Sequence, residues 1–598
     1  MITSSRFWII SILSTSFLTV LTNLDHTAIH YWDESFHAIV SRNLTKHPFL
    51  FTLYDQPWLA FDYKNWGGNH IWLHKPSLAM WKICLSYWTF GFNTFALRFP
   101  SAILATASVW ITYQISQHLF DQTTGLIAAF LQSFNPFLFG SVHVYKYSDH
   151  IDISLLFWVE LACWLLLCAI RSGRWQTYVL CGFAQGLAYL SKSYLALITF
   201  GIASVVWLSY RIKFLRPEPN TIPQIRLKHL GYVFLSSLIT VLPWTIYCLV
   251  HHPKEFLWEH KRVIDHLSTD VESWGATWDR PLFDYMTLFY PGFYAFLLLS
   301  VLFLIVVMIR KRRLNEFFVL AWSIGVIVPH CYALTKTPSA TMIGLPPLLI
   351  CLSVVISRTF NHMDGIYTSC LIASSISLRI VKGGKSLVQG RDQFDSLNNF
   401  APYIETNFWI IQQIGLSLFL FLALYIIYRG LSRWKFRQKA WNLMRIIAIL
   451  ASMTYITSYI ESAIAVTQTN RNDSYHKVIG EKIQATYPNN SCFFIDDAGH
   501  GSHFFLMFYA NRSVYQSRYN DHKKGIVERN LCQLAKKSIT AGAKPYLVAT
   551  IGQTYSYPIV EEGKVYDRPY TRCCQKKKMT NTRIKKQINN EKKRRLSK

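Results

Sequence analysis

The sequence predicts an α-helical polytopic membrane protein of about thirteen transmembrane helices, followed by a small α/β domain. Three observations carry that expectation. Apolar residues fall in long runs of about 17 to 25, the length that crosses a bilayer, rather than at a short helical or strand period. Loops rich in Lys and Arg alternate with loops that carry acids and aromatics, which is the asymmetry of the positive-inside rule. After Val466 the long runs stop, and shorter amphipathic and β-like segments take their place.

The first span, Phe7 to Leu24, is followed by no small-residue cleavage site and by many more spans, so it is expected to be retained. The remaining spans are placed near 96–118, 123–143, 152–170, 176–190, 194–210, 230–250, 283–309, 316–334, 341–357, 365–381, 407–428 and 443–465. The basic loops Arg171 to Arg174, Arg211 to Lys228, Arg310 to Arg313 and Arg429 to Lys439 are assigned to the cytoplasm. The first outer loop (25–95), Asp149 to Asp152, Ser191 to Ser193, His251 to Arg280 and Thr335 to Thr337 then share the outer face. An odd number of crossings puts the C-terminal segment on that face too.

The first outer loop is the chemically dense stretch. It opens with Tyr31-Trp32-Asp33-Glu34, continues through Ser41-Arg42, and closes with His74-Lys75-Pro76-Ser77-Leu78. Two adjacent acids at the mouth of a membrane helix are costly near lipid and point to function. Trp58, Trp66, Trp72, Trp81 and Trp88 border either a binding pocket or an interfacial belt.

Residues 467–570 are expected to form an extracytoplasmic α/β domain. Tyr475 to Tyr487 has helical character, Ser491 to Ile495 reads as a short buried strand, and His503 to Ala510 with Ser513 to Gln516 repeats helix then strand. Ile526 to Thr540 is amphipathic and Pro545 to Ile551 is strand-like, while Asp496-Asp497 after the first strand reads as a turn. Residues 571–598 form a basic tail, with 12 Lys and Arg against the single acid Glu591. That tail and the basic loops account for much of the net charge of +28 without nucleic acid.

Twelve cysteines are present, most of them isolated within spans. Cys492 and Cys532 are candidates for a disulfide only in an oxidising compartment, and Cys573-Cys574 lacks zinc-ligand spacing. The chain has no Walker loop, no GxGxxG after a strand, no HExxH and no GxSxG, which argues against a nucleotide-driven pump, a zinc protease and an α/β-hydrolase.

An ordered set of short motifs carries a resemblance. It runs from Asp33-Glu34 and Ser41-Arg42 through His74-Lys75-Pro76-Ser77-Leu78 and Leu97-Arg98-Phe99-Pro100-Ser101-Ala102. It continues with Gly125 to Ala129, Asp152 to Phe157, Gly186-Leu187-Ala188-Tyr189-Leu190-Ser191-Lys192, Pro243-Trp244 and Glu259-His260. Over residues 25 to 350 the chain resembles the multi-pass GT-C glycosyltransferases that use polyprenyl-phosphate sugars, in particular the bacterial protein-mannosyltransferase-like group and the lipid A aminoarabinose transferases. Pro76-Ser77 stands where that family usually has Pro-Pro.

The resemblance implies the GT-C fold, an active site on the outer face of the cell (inner) membrane, and transfer of a sugar from a polyprenyl phosphate to an acceptor hydroxyl of a lipid, a glycan or a protein. Such transfer needs a base for the hydroxyl proton, cations for the departing phosphate, and an oxocarbenium-like centre held between them. Asp33 is the candidate base, with Glu34 either orienting it or capping the helix that follows. Asp152 is the further candidate acid, either hydrogen-bonding the acceptor or pairing with a cation. Lys75, Arg98, Lys192, Arg262 and Lys336 form the pool for the lipid phosphate, Lys75 and Arg262 first among them. For Arg98 and Lys192 an anchoring role at the interface is the competing reading. Tyr31, Arg42, His74 and His260 complete the expected pocket.

No cofactor is required, because the donor carries its own activation in the sugar–phosphate bond. The carboxylates leave room for a divalent ion such as Mg or Mn, but no cluster has clear ligand spacing. The expected partners are the polyprenyl-phosphate sugar, its acceptor and membrane lipids, with no nucleic acid. Two alternatives remain open. A lipid-linked oligosaccharide ligase or polymerase would lean on an arginine and histidine pair in a late outer loop. A flippase would show a polar mid-membrane path and matched broken helices, whereas this chain has no internal repeat.

Overall fold

The computed structural model describes residues 2–30, 32–59, 63–64, 70–145, 149–216, 225–271, 278, 281–282, 294–362, 368–369, 372–373, 408–431, positions scattered through 442–466, and 475–495, 502–516, 537–549, 559–565 and 568–574. Tyr31, Trp66, Asp496, Asp497 and Cys532, most of the expected span 365–381, the amphipathic segment up to 536 and the tail beyond 574 lie outside them.

Helices dominate the first 431 residues. In chain order they are α1 (Ile2–Leu21), α2 (Asp33–Leu44), α3 (Ser77–Phe90), α4 (Thr94–Leu119), α5 (Gln122–Ser133), α6 (Pro136–Val142), α7 (Ile151–Ser172), α8 (Trp175–Lys192), α9 (Ile198–Arg211), α10 (Leu227–His251) and α11 (Pro253–Ser268). The helices Tyr294–Lys311, Leu314–Tyr332, Leu345–His362 and Phe408–Leu431 follow. The chain divides into two compact units. One comprises Met1–Thr27 and Leu73–Asn470; the other comprises Ala28–Trp72 and Arg471–Lys598. Most of the first outer loop therefore belongs with the C-terminal segment, whereas composition alone grouped it with the spans.

In the larger unit, six helices among the described residues are long and apolar enough to cross a membrane, or seven if α5 and α6, bent by 47° at their break, make one span. This is a multi-pass membrane protein. Local signals start and stop the helices where the sequence demands. Asn93 accepts from Ala96 N at 2.8 Å to cap α4, and Asp121 accepts from Thr124 N at 2.8 Å to cap α5. Asn135 accepts from Phe137 N and Leu138 N to cap α6, whose first residue is Pro136. Gly173, at φ +68°, ends α7 in the left-handed conformation that glycine adopts without strain.

The sequence separates 176–190 from 194–210, and the structure places a short 3-10 segment, Ser193–Leu197, between α8 and α9 in a continuous helical stretch without a loop. The stretch nevertheless folds back. Lys192 at the end of α8 lies beside Asp152 at the start of α7, whereas Arg216, just past α9, bonds Arg312 O through its backbone N–H at 2.9 Å. Arg171 at the end of α7 bonds Asn315 at 3.3 Å, so α9 ends on the side where α7 ends. Ser193 takes the reversal at φ +52°, a conformation that costs a non-glycine residue about 1–3 kcal/mol.

Helices α8 and α10 meet through glycine. A Cβ on Gly182 would stand 2.2 Å from Val233 O, and one on Gly186 would stand 2.6 Å from Thr240 Cβ. The four-residue spacing puts both glycines on one face and lets the helix axes approach closely. Deeper in the unit, Glu160 of α7 is fully buried and accepts from Ser108 Oγ at 2.5 Å, Thr112 Oγ1 at 3.1 Å and Gln132 Nε2 at 3.0 Å. That carboxyl ties α4, α5 and α7 together inside the apolar core.

The smaller unit holds a five-stranded sheet in the order β2-β1-β3-β5-β4, formed by β1 (Ser491–Ile495), β2 (Ser513–Gln516), β3 (Lys544–Ala549), β4 (Ile559–Val565) and β5 (Arg568–Cys574). β1 pairs parallel with β2 and β3, and β5 runs antiparallel between β3 and β4. The first three strands stand where the sequence placed them. β4 and β5 carry Glu, Lys, Gly and Pro and gave no strand signal; β5 runs into the segment expected to be tail. Cys492 is a buried free thiol. The helix Tyr475–Thr486 packs on Ser502–Ala510, which in turn packs on β2, and β1 is buried throughout.

Candidate active site

In the larger unit, charged residues from separate loops meet at one end of the helices. Asp149 Oδ2 accepts from Lys75 Nζ and from Lys192 Nζ, both at 3.0 Å. Lys192 Nζ also reaches Asp152 Oδ1 at 2.5 Å. The two carboxylates are 7% and 1% exposed and the two ammonium side chains 14% each, so this is a nearly dry chain of alternating charge. Burial on this scale is tolerable only because every charge has an opposite partner.

The helices explain the placement. Asp149 and Asp152 flank the first turn of α7, where the helix dipole favours anions, and Asp149 Oδ1 accepts from Ile151 N at 3.3 Å. Lys192 is the last residue of α8, a position that favours a cation. Nearby, Ser154 Oγ and Ser191 Oγ lie 2.8 Å apart and pin α7 to α8. Ser101 Oγ on α4 lies 3.2 Å from His150 Nδ1.

His74, the neighbour of Lys75, lies 3.0 Å from Glu259 Oε2 through its Nδ1. Glu259 is 1% exposed, and its other oxygen has no hydrogen-bond partner among the described residues. His74, Lys75, Glu259 and His260 line one recess, together with Tyr189 and Trp244. His260 sits against Phe256 with ring centroids 3.9 Å apart; burial pushes its pKa below the usual 6.5, partly offset by the Phe256 carbonyl and Glu259.

Of the expected phosphate cations, Lys75 and Lys192 are brought together. Arg98 is fully buried and donates to Leu24 O at 2.9 Å, Thr27 O at 3.2 Å and Thr27 Oγ1 at 2.8 Å, holding the chain that leaves α1. Lys336 donates to His330 O, Cys331 O and Ala333 O, closing the helix Leu314–Tyr332. Arg262 lies over the Trp258 ring at 5.6 Å on α11.

In the smaller unit, Asp33 and Glu34 form the first turn of α2. Asp33 is exposed enough to meet solvent, while Glu34 is fully buried and accepts from His30 N at 2.5 Å. Glu34 thus bonds the backbone just before α2. Arg42, from the last turn of α2, donates to Met507 O at 3.3 Å and to Asn511 Oδ1 at 3.1 Å.

Sequence reasoning did not single out Asp149 or Glu259 as site residues. Asp149 had a signal, the three-residue spacing to Asp152 at a helix start; Glu259 stood out only as part of a motif. Among the described residues, no three His, Cys, Asp or Glu gather to hold a metal.

Residues 74–247 match the family described as dolichyl-phosphate-mannose-protein mannosyltransferase. Among curated proteins, the chain is similar to an undecaprenyl phosphate-alpha-4-amino-4-deoxy-L-arabinose arabinosyl transferase of Pseudomonas fluorescens (strain Pf0-1), at 22% identity over 58% of this chain and 61% of that protein. A similarly named transferase from Pseudomonas aeruginosa (strain UCBPP-PA14) is 30% identical over 33% of this chain and 36% of that protein. The chain therefore spans about a third to three fifths of the length of these curated relatives.

Among solved structures, ArnT from Cupriavidus metallidurans in the apo state superposes with a TM-score of 0.62 at 14% identity, covering 95% of this chain and 98% of that one. The apo Archaeoglobus fulgidus oligosaccharyltransferase gives a TM-score of 0.52 at 12% identity, over 91% of this chain and 70% of that one. These likenesses show the fold. In sequence and in architecture, this chain is similar to the GT-C glycosyltransferases that use polyprenyl-phosphate sugars.

Proposed function

We propose that this protein is an integral membrane glycosyltransferase that moves a sugar from a polyprenyl-phosphate donor to an acceptor hydroxyl of a lipid, a glycan or a protein. In this reading the chain makes about thirteen crossings of the inner membrane, the larger unit is the membrane domain, and the smaller unit, whose sheet runs to Cys574, is an extracytoplasmic α/β domain before the basic tail. The active site then faces the outer side. The observation that carries the proposal is the buried Lys75–Asp149–Lys192–Asp152 chain, standing at helix ends within the segment that matches the mannosyltransferase family.

Asp33 accepts the proton of the acceptor hydroxyl on its carboxylate, and the acceptor oxygen bonds the anomeric carbon. The bond from that carbon to the phosphate oxygen breaks, and its electron pair leaves with the polyprenyl phosphate. Lys75, which lines the recess beside His74, binds the phosphate; Lys192 holds Asp149 in place and lends positive potential. The His74–Glu259 pair turns polar groups toward the recess and binds hydroxyls of the sugar. Trp244 and Tyr189 offer the flat apolar faces on which sugar rings rest.

Mass spectrometry of envelope lipids, glycans and proteins, with and without the gene, tests this directly. The expected result is one missing sugar whose acceptor survives unmodified, restored by the wild-type gene and not by Asp33→Asn. Restoration by Asp33→Asn at the wild-type level removes Asp33 from the role of base.

A further inference from the structure

The helix that carries Asp33 and Glu34 is held along its length by the C-terminal part of the chain. Before α2, Ile29 N donates to Tyr509 Oη at 3.1 Å. On its buried face, the Phe36 ring packs on Phe504 with centroids 4.4 Å apart, and also stacks with Trp72 at 5.8 Å. At its end, Arg42 donates to Met507 O and Asn511 Oδ1. These contacts fall before, within and at the end of the twelve-residue helix.

The segment after α2 is held in the same way. Tyr54 stacks on Tyr515 at 4.7 Å with the rings 6° from parallel, and Trp58 N donates to Tyr515 Oη at 3.0 Å. Ser513 Oγ donates to Gln56 O at 3.1 Å. Phe504, Met507 and Tyr509 lie on one helix, and Ser513 and Tyr515 lie on β2. A twelve-residue helix is marginal alone and takes its stability from what it packs on. Contacts at both ends and on one face leave it neither free rotation nor free translation.

We propose that the helix Ser502–Ala510 and strand β2 serve the transferase as a clamp that fixes α2, and with it Asp33, within the smaller unit. Arg42, Phe504 and Tyr509 are its positioning residues, acting through α2 and not on the substrate. This rests on the glycosyltransferase reading, with Asp33 as the base. A base displaced by about 1 Å loses about 100-fold in rate, while binding of the donor elsewhere is unchanged. The clamp therefore belongs to the chemical step.

The test is sugar transfer by the full-length protein in lipid nanodiscs, with the polyprenyl-phosphate sugar that the envelope comparison identifies. The variants are Asp33→Asn, Tyr509→Phe, Arg42→Ala and Arg42→Lys. Tyr509→Phe keeps the ring and removes only the oxygen that accepts from Ile29 N, so it is expected to fold; kcat should fall about 3- to 10-fold with KM for the donor within about twofold. Arg42→Ala should lower kcat about 10- to 100-fold, and Arg42→Lys, which keeps a donor, should recover part of that loss. Amide exchange across 33–44 should quicken in both Tyr509→Phe and Arg42→Ala, with the membrane helices unchanged. Should Arg42→Ala fail to fold, Tyr509→Phe alone decides. Wild-type kcat in Tyr509→Phe overturns the clamp while leaving the transferase reading in place, and so does a loss carried wholly by donor KM. Undiminished transfer by Asp33→Asn overturns the base assignment, and the clamp with it.

Discussion

Lys192 stands between two carboxylates, 2.5 Å from Asp152 and 3.0 Å from Asp149, at the point where one membrane helix begins and the next one ends. The ammonium links the first turn of α7 to the last turn of α8. Position along the helices and charge agree, since acids favour helix starts and cations helix ends.

Removing one member of that link leaves a buried charge alone. Lys192→Met is expected to cost about 3–5 kcal/mol and to lower the unfolding temperature in detergent markedly. Lys192→Met combined with Asp152→Leu should recover much of that stability, because the orphaned Asp152 charge is then gone. A double variant no more stable than Lys192→Met alone contradicts this account.

Glu160 gives a second stability test, at a site where the carboxyl is bonded by two hydroxyls and an amide rather than by a cation. Glu160→Gln keeps size and one acceptor oxygen and is expected to stay within about 1 kcal/mol of wild type. Glu160→Leu leaves Ser108, Thr112 and Gln132 without their common acceptor and should cost about 1–3 kcal/mol. Thermal unfolding of the two variants side by side separates them; equal midpoints would show that the hydrogen bonds contribute nothing.

Gly182 and Gly186 test the close approach of α8 and α10. Any Cβ at Gly182 meets backbone, since Val233 O would lie 2.2 Å away. Gly182→Leu should force the helices apart and destabilise by more than the about 1–3 kcal/mol typical of overpacking. Gly201 is the control, because a Cβ there would meet nothing within 4 Å; Gly201→Ala should be neutral or stabilising. Melting curves of the two variants make the comparison.

His260 carries a pH prediction. Burial holds its folded pKa below 6.5, so the unfolded chain binds the extra proton more readily. Stability is therefore full above pH 6.5 and declines as pH falls from there toward the folded pKa. His260→Gln should flatten that decline between about pH 6.5 and 5. Urea midpoints across this range give the measurement, and parallel pH profiles for the two proteins would count against it.

Much of the membrane architecture was legible in the sequence. Runs of apolar residues marked the helices from Thr94 to Thr359, and the charge of their loops separated two ends. The structure brings Arg171, Arg216 and Arg312 toward one end and Asp149, Asp152 and Lys192 to the other. Charge type did not show what each cation faces. Arg98 and Lys336 look like Lys75 in a sequence, yet they are turned to backbone carbonyls. The partnership of His74 with Glu259 spans 185 residues and has no local signature. The packing of α2 on Phe504 and Tyr509 was likewise invisible, because period and propensity describe neighbours along the chain and not those brought together by folding.

Ile29 and Tyr509 are 480 positions apart yet share a hydrogen bond. During synthesis the earlier partner emerges first and the later one only after every intervening hydrophobic segment has been made. The Asp33 helix must therefore wait for its partners until the ribosome has passed Tyr509, so that products truncated before that residue are born without this support.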